Sequence, residues 1–129
     1  DTLDIAYEKI RTTRGAQQIG GSIFELVLDT THPIAFGYKK LIPVFRNNKY
    51  FFELSVADAA NVGRYTEAPL LSGYISNRLL DDIKNTAGII ARKVNGGYAV
   101  LFADNPHFRA FWYGTDGLLL NAVFFGRSF

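Results

Sequence analysis

The sequence predicts an α/β or α+β domain: a mixed sheet of about five or six strands, with two hairpins and helices packed on it. Three observations carry that prediction. Short runs rich in β-branched and aromatic residues recur along the chain, bounded by Gly, Pro and Asn. Two such runs, AGIIARKV and YAVLFAD, flank Asn95-Gly96-Gly97, whose residues tolerate the positive φ angles of a primed hairpin turn. Behind this hairpin, Asn105-Pro106 and Thr115 read as helix starts, and Gly114 and Gly126 as stops. A hairpin therefore hands over to a bent pair of apolar helices.

Taken in order, the first stretch, Asp1–Gln18, is polar, with Leu3, Ile5, Ala6 and Ile10 its main apolar positions and a loose helix or strand near Ile5–Ile10. Gly20-Gly21 is a break, and Ile23–Asp29 (IFELVLD) reads as a strand. His32 precedes a proline and is biased to extended geometry; Pro33 then opens a single helical turn that Gly37 closes. Leu41–Phe45 and Tyr50–Ser55 flank Arg46-Asn47-Asn48-Lys49 as a second hairpin, and Pro43 places its first strand at a sheet edge. Val56–Thr66 is small and polar, a loop, and Pro69–Ile75 a short strand. Ser76 caps a helix to about Asn85, with Leu79, Leu80 and Ile83 on its inner face. In the last helix Leu118, Ala122 and Phe125 share one face by the i, i+4, i+7 rule.

Length and composition fit one domain, or a fragment of one, spanning residues 1–129. With 48% hydrophobic and 15% aromatic residues the chain can bury a sizeable core. Its net charge of +2 comes from 14 basic and 12 acidic residues that are interspersed. No basic face alternates with aromatics, which argues against nucleic-acid binding. The longest apolar run, around Leu118–Phe125, is interrupted by Asn121 and falls well short of the ~18 residues of a membrane span. The absence of Cys excludes disulfides, thiolate zinc sites and a Cys nucleophile in this sequence. With no Met either, the sequence reads as processed or cut from something longer.

Few residues carry the pattern of a reaction centre. His32 and His107 are far apart, and neither begins an HxxE, HxH or HExxH pattern, so a zinc site would need Asp29, His32 and a distant partner. Asp104 ends a strand where a helix begins, and Arg109 lies among Phe108, Phe111 and Trp112. The simplest expectation is a structural Asp104–Arg109 pair. The functional reading of the same place is a ligand shelf formed by Asp104, His107, Arg109, Trp112 and Tyr113, since ligands often bind beyond strand ends. Ser72 in LLSGY lacks the nucleophile-elbow pattern, and the Gly pairs at 20–21 and 96–97 are not phosphate loops.

The run GYAVLFADNPHFRAFWYGTDGLLLNAVFFG resembles the C-terminal end of large bacterial zinc carboxypeptidases, especially those of Bacteroidetes. GGSIFELVLDTTHPIAFGY and PLLSGYIS with its following helix are similar to the same region, so the resemblance spans about Gly20 to Gly126. Those proteins look like a carboxypeptidase A-type catalytic domain followed by a domain of the class I glutamine amidotransferase-like fold. The resemblance implies that this chain is the latter portion of that amidotransferase-like, flavodoxin-like domain, without catalytic residues. The family's zinc ligands are an HxxE and a later His in the catalytic domain, and no position here matches them. The amidotransferase Cys has no counterpart either. A non-catalytic module of a periplasmic or secreted metallocarboxypeptidase follows, with zinc belonging to a domain absent here. Its implied partners are that catalytic domain and, through a homodimer, a second copy. Because the last helix is apolar nearly all round, its outer side is expected to be covered by the domain, a second copy or the rest of the parent. The rival expectation is a carbohydrate- or small-ligand-binding module using the Asp104–Trp112 shelf.

Overall fold

The computed structural model describes residues 19–110 and 113–128, so the element expected near Ile5–Ile10, and Phe111 and Trp112, lie outside the described residues. The elements are β1 (Ser22–Leu28), a 3-10 turn (Pro33–Ala35), β2 (Leu41–Arg46), a second 3-10 turn (Asp58–Ala60) and β3 (Asn61–Ser72). They continue with α1 (Asn77–Ile83), β4 (Ala87–Val94), β5 (Gly97–Phe102), a third 3-10 turn (Phe108–Ala110) and α2 (Tyr113–Phe124). The five strands form one sheet in the order β2-β1-β3-β4-β5. The class is α+β, with the strand number the sequence predicts. The sheet is not mixed, however: every pairing among the described strands is antiparallel. The parallel βαβ unit on which a flavodoxin-like sheet is built is therefore not among the described residues.

The core begins at β1, where Ser22, Phe24, Leu26 and Leu28 alternate onto one buried face. Leu26 is the central knob. Two neighbouring strands leave room for it with glycines: a Cβ on Gly63 would stand 2.7 Å from its Cδ2, and one on Gly88 would collide with its Cδ1. Ile42 and Val44 from β2, Val62 and Tyr65 from β3, and Ile89 and Ala91 from β4 complete the layer. Ser76 caps α1 by accepting the Leu79 N–H at 3.4 Å, and Leu79 and Ile83 are buried as predicted. The turn after β1 is also as predicted: His32 is extended (φ −81, ψ 136), Pro33 opens a single turn, and Gly37 follows at φ 82.

The hairpin of β4 and β5 has the predicted sequence, with a tighter turn. Val94 pairs with Gly97, leaving Asn95 (φ 47) and Gly96 (φ 85) as a two-residue loop with both φ angles positive. Three other expectations are corrected. The second hairpin does not form, because β2 pairs with β1, and Tyr50–Ser55 contributes only a bridge from Phe52 to Ala87. The expected loop Val56–Thr66 instead contains the start of the longest strand. β3 runs from Asn61 to Ser72, and between Leu26↔Tyr65 and Phe24↔Leu70 it carries extra residues as a bulge. Pro69 lies in that bulge, where a missing N–H costs no ladder bond. Finally, no helix spans 105–113. Arg109 takes φ 54, which interrupts helical geometry, and Gly114 lies inside α2 rather than stopping a helix before it.

α2 docks by its predicted inner face. Leu118 is buried, Ala122 and Phe125 are half-buried, and Asn121 Nδ2 donates to the carbonyls of Ile34 and Phe36, each at 2.9 Å. The opposite face is uncovered: Leu119, Leu120, Val123 and Phe124 are 36, 66, 77 and 82% exposed. Among the described residues, none supplies the expected cover. Because Leu26 fills the space over Gly63, Gly63→Ala should destabilise the fold by about 1–3 kcal/mol through overpacking. Urea unfolding of the two proteins checks this, and an unchanged midpoint would contradict the packing described.

Candidate functional site

Alternation along β2 sets Ile42, Val44 and Arg46 on the buried face, so the strand delivers a guanidinium into the core with no exposed side-chain surface. Such a charge is stable only when its donors are satisfied. Arg46 Nε donates to the Asn48 carbonyl at 3.2 Å, and Nη2 donates to Asn48 Oδ1 at 3.2 Å and to the Tyr50 carbonyl. Nη1 donates to the Tyr65 hydroxyl at 2.8 Å, and Tyr65 in turn donates to Asp104 Oδ2 at 2.5 Å. The guanidinium also lies over the rings of Phe51 (4.8 Å) and Tyr65 (5.3 Å). Asn48 Nδ2 reaches across to the Ala103 carbonyl at 2.8 Å. One side chain thus joins β2, β3 and the end of β5.

Asp104 is the acidic member, with its side chain 9% exposed. Its Oδ1 stands 3.7 Å from Arg46 Nη1, an ion-pair distance without a hydrogen bond. Burial pushes its carboxyl up to about 6, outweighing the downward pull of the Arg46 charge and the Tyr65 hydrogen bond. Burial, and then the Asp104 charge, push the Tyr65 phenol well above its usual range. Beside Asp104 lies an apolar cavity of about 10 Å³, bounded by Leu26, Val44, Phe102 and Leu118, room for a single water at most. Asp104 and Tyr65 thus have perturbed protonation in an almost closed setting, and the bonds of the triad lock β2, β3 and the end of β5 together.

The shelf residues do not converge. Asp104 turns inward to Tyr65 and Arg46, which corrects the expected Asp104–Arg109 pair; Arg109 is exposed, with its guanidinium 5.9 Å from the Phe108 ring centroid. His107 is exposed and its Nδ1 lies 2.8 Å from Asp116 Oδ1, tying the segment before α2 to its first turn. The Thr115 hydroxyl reinforces that tie by donating to the Pro106 carbonyl at 2.6 Å. Tyr113 is 79% exposed, and Trp112 lies outside the described residues.

Asp29 and His32 line an open depression of about 490 Å³ with Arg92, Lys93 and Tyr98. The Asp29 carboxylate is taken up by the Thr31 hydroxyl (2.6 Å) and N–H (3.0 Å), which hold it below its usual range. His32 Nδ1 accepts the Ile34 N–H at 3.2 Å. No group of three or more His, Asp or Glu converges as metal ligands among the described residues. Asp29 and His32 are both engaged in this local turn, and no third ligand joins them among the described residues. No helix among the described residues is long and apolar enough to cross a membrane.

Scans of protein-family models, curated proteins and solved structures return no match to the chain.

Arg46 and Tyr65 are the members of the triad that sequence reasoning overlooks. The signal for Arg46 is its place in LIPVFR, two positions beyond Val44 and four beyond Ile42, which puts it on their face of the strand. Arg46→Ala should destabilise the fold by roughly 3–5 kcal/mol, because Asp104 would be left as a buried, unpaired carboxylate; guanidinium unfolding checks it. The pH dependence has a definite sign. Asp104 binds its proton more tightly folded than unfolded, so its contribution favours the fold fully below pH 3.8 and is lost as pH rises through about 6. The gap corresponds to about 3 kcal/mol. The stability of the natural chain relative to Asp104→Asn should therefore fall by that order between pH 4 and pH 7, as read by denaturant titrations at each pH. A difference that is flat or rises with pH would contradict the assignment.

Proposed function

We propose that the chain is a non-catalytic C-terminal module of a zinc carboxypeptidase, periplasmic or secreted, that braces the catalytic domain or mediates association. The observation that carries this reading is the outer face of α2. Leu120, Val123 and Phe124 form one exposed apolar surface at i, i+3 and i+4. Phe124 meets Phe125 (5.0 Å between centroids), and Phe125 meets Phe36 (5.7 Å), which is 70% exposed. A contiguous apolar surface of this kind marks a contact with another protein surface. The sequence resemblance names the candidate occupant: the catalytic domain of the same parent. On this reading zinc and proton transfer belong to that domain, where a metal polarises the scissile carbonyl. The shelf alternative draws support from exposed His107, Arg109 and Tyr113, but Asp104 is closed off in the triad.

Two measurements test the reading. Chelator-free protein should contain no stoichiometric zinc and hydrolyse no hippuryl-peptide substrate; zinc together with turnover would overturn it. A Leu120→Asp, Phe124→Asp variant should keep its stability within about 0.5 kcal/mol, because both positions are exposed. The same variant should bind the separately produced catalytic domain at least about 30-fold more weakly, as expected for hot-spot residues. Unchanged binding would remove α2 from the contact.

A further inference from the structure

The two edges of the sheet are built differently. On β2, the Leu28 N–H donates to the Lys40 carbonyl at 2.7 Å, which makes residues 28 and 40 a hydrogen-bonded pair. Alternation along an antiparallel ladder then turns Leu41 and Pro43 away from β1, toward solvent. A proline on that outward row has no N–H to offer, so the β2 edge is closed to a further strand.

On β5, the Ala103 N–H donates to the Gly88 carbonyl at 2.8 Å. The same alternation gives Leu101 and Ala99 inward bonds to β4 and turns the backbone of Val100 and Phe102 outward. β5 (GYAVLF) contains no proline and no charged residue, and Leu101 is 47% exposed on its outer face. Proteins ordinarily blunt such an edge, and among the described residues no strand pairs with the outer side of β5 and no proline or charge blunts it.

We propose that β5 is an association edge that pairs antiparallel with β5 of a second copy, extending the sheet through a twofold axis at Val100. The strand is self-complementary in that register. Val100 meets Val100 of the second copy, and Tyr98 faces Phe102 of the second copy twice, so both flanking pairs are aromatic. No like charges oppose each other along the strand. Lys93 sits over Tyr98 at 6.0 Å, on the β4 side of the pair.

Sedimentation velocity on the chain from about 1 µM to about 1 mM, the range in which weak specific pairs form, tests this together with amide exchange. The expected result is a concentration-dependent dimer in which the Val100 and Phe102 amides gain protection as the dimer fills. Val100→Pro removes an outward N–H, leaves the β4 ladder intact and should give a folded monomer. Ala99→Pro, by contrast, breaks an inward bond and should unfold the hairpin. Should Val100→Pro fail to fold, the concentration dependence of exchange at Val100 in the natural chain decides alone. A monomer across the whole range would overturn the proposal. So would a dimer that survives Val100→Pro and is lost in Leu120→Asp, Phe124→Asp, which would place the contact on α2.

Discussion

A guanidinium with no solvent contact is the constraint to which much of this domain answers. Arg46 keeps its charge in the core because the chain immediately after it bends back, so that Asn48 and Tyr50 present oxygens to Nε and Nη2. That bend is also why β2 ends where it does and why the following residues cannot run alongside it as a hairpin. The remaining donor is served from β3 and the end of β5 through Tyr65 and Asp104. An edge strand is thereby tied to the opposite side of the sheet. Buried ion pairs add less stability than apolar packing of equal volume, and a role in fixing register is their better-attested use. Here the network fixes which residue of β2 lies opposite which residue of β1, since a one-residue slip would turn Arg46 outward.

Local chemistry was the legible part of the sequence. The β4–β5 turn, the Ser76 cap and the His32-Pro33 turn each depend on a few adjacent residues, and each forms as those residues dictate. Apart from the helix broken at Arg109, the failures are long-range. Val56–Thr66 looks small and polar, yet from Asn61 it joins the expected Pro69–Ile75 strand in the third strand of the sheet, because it is hydrogen-bonded on both sides and buries Val62 and Tyr65. Tyr50–Ser55 has the right residues for a strand, yet Arg46 claims the Tyr50 carbonyl before a ladder can start. The partners of Asp104 lie in β2 and β3, not five residues along the chain at Arg109. A short sequence interval is a poor guide when a strand end sits beside three other strands.

The distribution of apolar surface separates two kinds of position in α2. Leu118 lies beside Leu26 and Val44 in the core, whereas Leu120, Val123 and Phe124 stay largely exposed among the described residues, Phe124 meeting only the neighbouring Phe125 ring there. Asp104 and Tyr65, whose protonation is the most perturbed, are by contrast almost wholly enclosed. The exposed apolar surface and the polar centre are thus in different places.

The clasp made by Asn121 has a dynamic consequence. Its two hydrogen bonds to the turn after β1 close a loop of more than eighty residues, so they form only after the sheet has brought both ends together. Beneath them α2 is held by two buried residues, Thr115 and Leu118, and by half-buried neighbours. Release of those two carbonyls would free the helix as a unit while the five-stranded ladder stayed paired. α2 is thus fastened largely through its own side chains and not through the ladder, the condition under which a helix opens as a unit of its own.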